Sequence, residues 1–147
     1  MWCAKHSKTV TGLSAEQIWA VLSDVNNWSK WQEDIEYARL VGEFESGKVI
    51  LFKPQGAPEL KIQLLEVEQT KSFLDVTCFP LAKMYDLHEI IVHGQSIEIR
   101  NTLTVEGPLS FIWRKLVIEK IATSIAEQTD KLIARVIALQ SQSVSLV

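Results

Sequence analysis

Asp86, His88 and Asn101 are the residues of this chain whose types and spacing suit chemistry. Asp86 and His88 stand two apart, which in a strand puts both side chains on one face. An imidazole exchanges protons near neutrality, a neighbouring carboxylate favours its charged form, and a carboxamide orients a carbonyl or a hydroxyl. Such a group can fix the polar end of a bound molecule or move a proton on it. The plainer reading is that the three satisfy one another, or a buried water, inside a partly wet core.

Asn101 joins the other two through the register of a hairpin. If Gly94 and Gln95 are its two turn residues, glycine first as a type II′ turn prefers, His93 faces Ser96 and the rest follows by counting. Val92 then pairs with Ile97, Ile90 with Ile99 and Met84 with Val105 on one face, while Glu89 stands opposite Arg100 on the other. A slip of one residue would destroy both patterns. The same count puts His88 opposite Asn101 and Asp86 opposite Leu103 on the apolar face, where polar groups need a reason to be.

The elements that must position this hairpin are also legible. Ser14 with Gln17 is a capping box, Leu13 with Ile18 a hydrophobic staple, and a helix runs from Ser14 to about Ser23 with Ile18, Val21, Leu22 and Val25 on its apolar side. A second short helix spans Asn26 to Trp31. Its Trp28 and Trp31 either fasten it to the sheet or line the mouth of a pocket. Before these helices Cys3 to Thr11 reads as a strand. After them come strands near Tyr37–Glu43, Lys48–Lys53, Glu59–Glu68, Ser72–Phe79, Ala82–His93 and Gln95–Val105, with turn chemistry between them. Lys53 faces inward if Val49 and Leu51 do, and outward if Ile50 and Phe52 do. Cys78, in phase with Leu74 and Val76, reads as a small buried hydrophobe.

A last long helix spans Gly107 to Gln140, with Pro108 at its first position. Ile118, Ile121, Ile125, Leu132, Val136 and Leu139 recur at spacings that form one apolar stripe, and the helix is roughly 45 to 50 Å long. The polar break at Gln128 and Thr129 fits either a pocket that hydrogen-bonds its ligand or a turn facing solvent. Leu109, Phe111, Ile112, Trp113, Leu116, Val117 and Ile118 surround the first part of the helix with apolar groups. Either loops bury both sides of it, or part of this surface is a portal or a partner contact.

Composition sets the outer bounds. A chain of 147 residues with 47% hydrophobic and 22% charged residues suits one folded domain, 1–147. A net charge near −3 without a lysine and arginine run argues against nucleic acid as a partner. No apolar run reaches the ~20 residues needed to span a bilayer. The start at Met1, Trp2 and Cys3 has neither the basic residues nor the apolar run of a secretory signal, so a cytoplasmic protein with free Cys3 and Cys78 is expected.

The order strand, two short helices, six strands and long helix, with the segment Val25-Asn26-Asn27-Trp28-Ser29-Lys30-Trp31 and the Gly107-Pro108-Leu109-Ser110 junction, resembles the polyketide cyclase/dehydrase and lipid-transport superfamily (START-like, SRPBCC). The resemblance spans about Ser7 to Leu139. It implies an α+β helix-grip fold, in which a curved antiparallel sheet of about seven strands wraps around the last helix. It also implies an internal cavity for a hydrophobic or amphipathic small molecule. The superfamily has no shared catalytic motif to transfer.

The expectation is therefore a binding protein whose ligand contacts Asp86, His88, Asn101, Ile90, Ile99, Ile121 and Ile125, with no cofactor and no metal. One alternative is a cyclase or dehydratase using the same cavity, with His88 as acid or base. The other is a protein-interaction module using the apolar surface around Phe111 and Trp113, toward a protein partner or a second copy of the chain.

Overall fold

The computed structural model describes the backbone of residues 1–145 and side chains as far as residue 141. Seven antiparallel strands form one sheet: β1 (Trp2–Thr11), β2 (Ile35–Arg39), β3 (Val49–Pro54), β4 (Leu60–Glu68), β5 (Ser72–Phe79), β6 (Ala82–His93) and β7 (Ser96–Glu106). Their order across the sheet is β1-β7-β6-β5-β4-β3-β2, so every neighbour after β1 is also a neighbour in sequence. The first strand closes onto the last, and β6 and β7, the longest pair, lie where the site residues are.

The β6–β7 register agrees with the count made from the turn at every pair: His93 with Ser96, Ile90 with Ile99, His88 with Asn101, Asp86 with Leu103 and Met84 with Val105. Gly94 has φ of 63° and Gln95 does not take a positive φ, as a type II′ turn requires. Opposite charges on the outer face also meet, although Arg100 lies closer to Glu98, at 2.9 Å, than to Glu89, at 3.9 Å.

Helix α1 (Ala15–Leu22) begins at Ser14 with both halves of the capping box made, Gln17 N–H to Ser14 Oγ at 3.1 Å and Ser14 N–H to Gln17 Oε1 at 2.8 Å. The short helix after it, Val25–Lys30, is 3₁₀. Its Trp28 is buried and donates its indole N–H to Leu22 O at 3.0 Å, so this tryptophan fastens the turn. Trp31 is half-buried and borders a groove.

Several expectations are corrected. Strand β2 ends at Arg39 instead of Glu43. In β3 Ile50 is buried and Lys53 turns outward to pair with Glu36 on β2, which settles the parity there. Cys78 is exposed, because the concave face of β5 carries Phe73, Asp75 and Thr77, and Cys78 belongs to the opposite face. The last helix does not begin at Pro108: Gly107 has φ of 117°, and Leu109 N–H is drawn back to Leu81 O at 3.1 Å.

That C-terminal helix has three parts, α2 (Ser110–Trp113), a π-helical turn Arg114–Ile118, and α3 (Glu119–Ser145). A π turn brings residues five apart into line. Trp113 therefore stands above Ile118 in the same apolar cluster, while Phe111, Ile112 and Leu116 are rotated out to solvent. Beyond the turn the expected stripe holds for Ile118, Ile125, Leu132 and Val136, which are buried, whereas Ile121 is half-buried and Leu139 is exposed. Among the described residues, no helix is long and apolar enough to cross a membrane.

Candidate functional site

Between the sheet and the C-terminal helix lie two apolar clusters. One, toward α1, includes Ile18, Phe73, Ile90, Ile97, Ile99, Leu132 and Val136. The other, toward the start of the C-terminal helix, is built of Met84, Leu103, Val105, Ile118 and Ile125. The concave face between them is polar, and two cross-strand rows make it so. Phe73, His88, Asn101 and His6 stand side by side on β5, β6, β7 and β1; Asp75, Asp86, Leu103 and Ala4 form the next row. Buried Thr129 interrupts the apolar stripe of α3.

Geometry couples the two rows. His88 Nε2 lies 3.1 Å from Asp86 Oδ2 and 3.4 Å from Asp75 Oδ2. On the other side of the ring, Nδ1 is 2.9 Å from Asn101 Nδ2, which also approaches Asp86 Oδ1 at 3.5 Å. Phe73 stacks on the imidazole with centroids 4.0 Å apart. The Asp75 side chain keeps 9% of its exposure, Asp86 18% and His88 21%, so the two residues on β6 are less enclosed than Asp75.

These contacts shift the ionisation of the cluster. Burial alone would lower the His88 pKa, but the Asp86 charge and hydrogen bonds to Asp75 and Asp86 outweigh it and push it up to about 10. Burial raises Asp75 to about 6, opposed by its hydrogen bond to His88 and reinforced by the charge of Asp86. The raised His88 pKa makes the ring an imidazolium beside the two carboxylates; its Nδ1 then carries a proton, so the Asn101 amide meets that proton with its oxygen, which accepts. A group of this kind can donate or accept a proton, or orient a polar end. The oxygens of Asp75 and Asp86 and a nitrogen of His88 also lie within 4.8 Å of one another, a ligand set a metal ion could use.

Of the seven residues expected to contact a ligand, Asp86, His88 and Asn101 come together as one hydrogen-bonded group. Ile90 and Ile99 belong to the first apolar cluster, and Ile125, with Ile121 packed against it, to the second. The isoleucines thus flank the polar group on both sides. Asp75, Phe73 and His6 were not anticipated. A signal for Asp75 was present: the two-residue Pro80–Leu81 turn pairs Phe79 with Ala82, and counting back from it pairs Asp75 with Asp86. His6 lies opposite Asn101, and its Nδ1 is buried without a hydrogen-bond partner.

Two clefts open elsewhere. A groove of about 640 Å³ runs between α1, the 3₁₀ turn and the end of α3, bordered by Val21, Trp31, Val136 and Leu139. Another of about 580 Å³ lies beside Trp19, Phe44 and Val67. Neither borders the Asp75, Asp86 and His88 cluster.

The family model described as polyketide cyclase/dehydrase and lipid transport matches residues 1–136. No curated protein matches the chain significantly in sequence. Among solved structures, the chain is similar to a norcoclaurine synthase point mutant of Thalictrum flavum in complex with a transition-state analogue. That likeness has a TM-score of 0.74 and 15% identity, covering 95% of this chain and 96% of the other. A protein of Thermus thermophilus gives a TM-score of 0.71 and 13% identity, covering 94% of this chain and 99% of the other. A hypothetical protein of Helicobacter pylori gives a TM-score of 0.73 at 13% identity, over 91% and 87%. At such identities the likeness is one of fold, an α+β helix-grip with a curved seven-stranded sheet and a long C-terminal helix.

Proposed function

Because the chain belongs to the polyketide cyclase/dehydrase and lipid transport family, we propose that it binds a small hydrophobic or amphipathic molecule between the sheet and the C-terminal helix. Asp75, Asp86, His88 and Asn101 hold the polar end of that molecule, and the flanking apolar clusters hold its body. The observation that carries this reading is the position of the polar group: four hydrogen-bonding side chains on the concave face, between two apolar clusters, with Asp86 and His88 still partly exposed. A core that needed only to be stable would be apolar there, since replacing buried ion pairs by packed hydrophobes is often neutral or stabilising. The free and exposed cysteines suit a reducing compartment, and the cytoplasm is the location we propose.

Native mass spectrometry of freshly purified protein tests this reading. A small molecule retained by the wild type and lost from Asn101→Leu is the expected result. The reading is overturned if neither protein retains or takes up any compound from a panel of amphipathic molecules.

A second reading gives the same group a chemical step, as in a cyclase or dehydratase. The position of Asp75, ionising near neutrality beside a protonated His88, favours it. His88→Gln would then abolish turnover while ligand affinity stays within a few-fold. Unchanged turnover in that variant would remove His88 from the mechanism.

A further inference from the structure

Resting on the binding site proposed above, we infer that the polar end of its ligand is a protonated amine. The charges on the concave face motivate the assignment. Asp75 and Asp86 are two carboxylates, and among the described residues their ion pairs run to His88 alone. One ring nitrogen, Nε2, serves both, at 3.1 and 3.4 Å. Even with the imidazole protonated, two negative charges face one positive charge between two apolar clusters. An unbalanced charge in such surroundings is costly.

An ammonium group corrects that imbalance, and a carboxylate would double it. The ammonium brings three donors and no acceptor, which suits a site whose four carboxylate oxygens outnumber the donors turned toward them. With the Asn101 amide oxygen accepting from the protonated His88 Nδ1, the amide offers no donor to Asp86 Oδ1, 3.5 Å away. Burial, reinforced by the charge of Asp86, raises the pKa of Asp75, and a second cation beside it would oppose both. A divalent metal ion could use the same three residues, but it would have to displace the His88 proton and would leave the apolar flanks without a role. An amine on an apolar body uses both parts of the site.

Calorimetric titration with 4-phenylbutylamine, 4-phenylbutanol and 4-phenylbutyrate, one skeleton with three polar ends, tests the assignment. The amine is expected to bind at least ten-fold more tightly than the alcohol, and the carboxylate most weakly. In Asp75→Asn the amine should fall to the affinity of the alcohol; Asp86→Asn serves the same purpose if the first variant does not fold. Equal or tighter binding of the alcohol or the carboxylate overturns the amine assignment and leaves the binding site standing. Failure of all three to bind removes both. Stoichiometric binding of Zn²⁺ or Mn²⁺ alone, lost in Asp75→Asn and unaccompanied by any preference for the amine, would replace the assignment by a metal site.

Discussion

The rings of His88 and Phe73 lie face to face, with centroids 4.0 Å apart and planes 14° from parallel, directly across the β5–β6 pair. Register puts the two side chains on the same side of neighbouring strands, and the stack then fixes the plane of the imidazole. With the plane fixed, Nε2 points to the carboxylates and Nδ1 to Asn101. Phe73 in turn meets Trp19 and Phe44 edge to face, so the orientation of His88 is anchored in the larger apolar cluster.

Replacing Phe73 by leucine keeps the site apolar and removes the stack. Phe73 is buried, so the loss in urea denaturation should be about 1–3 kcal/mol. The more specific consequence is rotation of the imidazole, read as exchange broadening of the His88 ring nitrogens by NMR. Sharp, unshifted ring signals in a destabilised variant would reduce Phe73 to ordinary core packing.

The pH dependence has a definite sign. The folded-state pKa of His88 is raised from 6.5 to about 10, so its contribution to stability is complete below about 6.5 and is lost as pH rises toward 10. Asp75 is raised from 3.8 to about 6, so it too favours the fold below 3.8 and ceases to as pH rises through 6. Each unit of difference corresponds to roughly 1.4 kcal/mol. Unfolding free energies measured from pH 6.5 to 10 should therefore decline more steeply in the wild type than in His88→Gln. Parallel curves would mean that His88 is not the buried cation.

How the site was legible follows from which strands gave unambiguous signals. Gly94 marks a turn that admits one register, and that alone placed His88 opposite Asn101. In β5 the alternation misled, because Leu74, Val76 and Cys78 look more apolar than Asp75 and Thr77, yet the latter face the core. A polar site on the concave face inverts the usual relation between hydropathy and burial, so the same feature that makes the site hid one of its members. The π turn left no signal of comparable strength: its effect is a rotation, visible only in which of Phe111, Trp113, Leu116 and Ile118 are buried.

Gly107 couples the sheet to the C-terminal helix. A Cβ there would lie 2.6 Å from Leu81 O and 2.8 Å from Ala82 Cα, and the φ of 117° is one that side chains rarely adopt. Both neighbours are backbone, in a turn where Leu81 itself has φ of 55° and Trp113 donates its indole N–H to Pro80 O at 2.9 Å. Gly107→Ala should therefore cost at least about 2 kcal/mol in chemical denaturation, more than a helix-propensity change could give. A neutral result would show that the junction can relax without loss.

The π turn makes opposite predictions for residues two positions apart. Leu116 is 65% and Phe111 58% exposed, whereas Ile118 is fully buried against Met84, Leu103 and Val105. Changing Phe111 and Leu116 together to serine removes no core contact, so stability should move by no more than about 1 kcal/mol. Ile118→Ala leaves a cavity and should cost about 2–5 kcal/mol. Urea denaturation of the two variants compares them directly. If the double serine variant lost as much as Ile118→Ala, the exposed apolar groups would be covered in solution. Sedimentation would then show the wild type associating through this surface and the serine variant monomeric, the outcome that favours the partner-contact reading of the first turns of the helix.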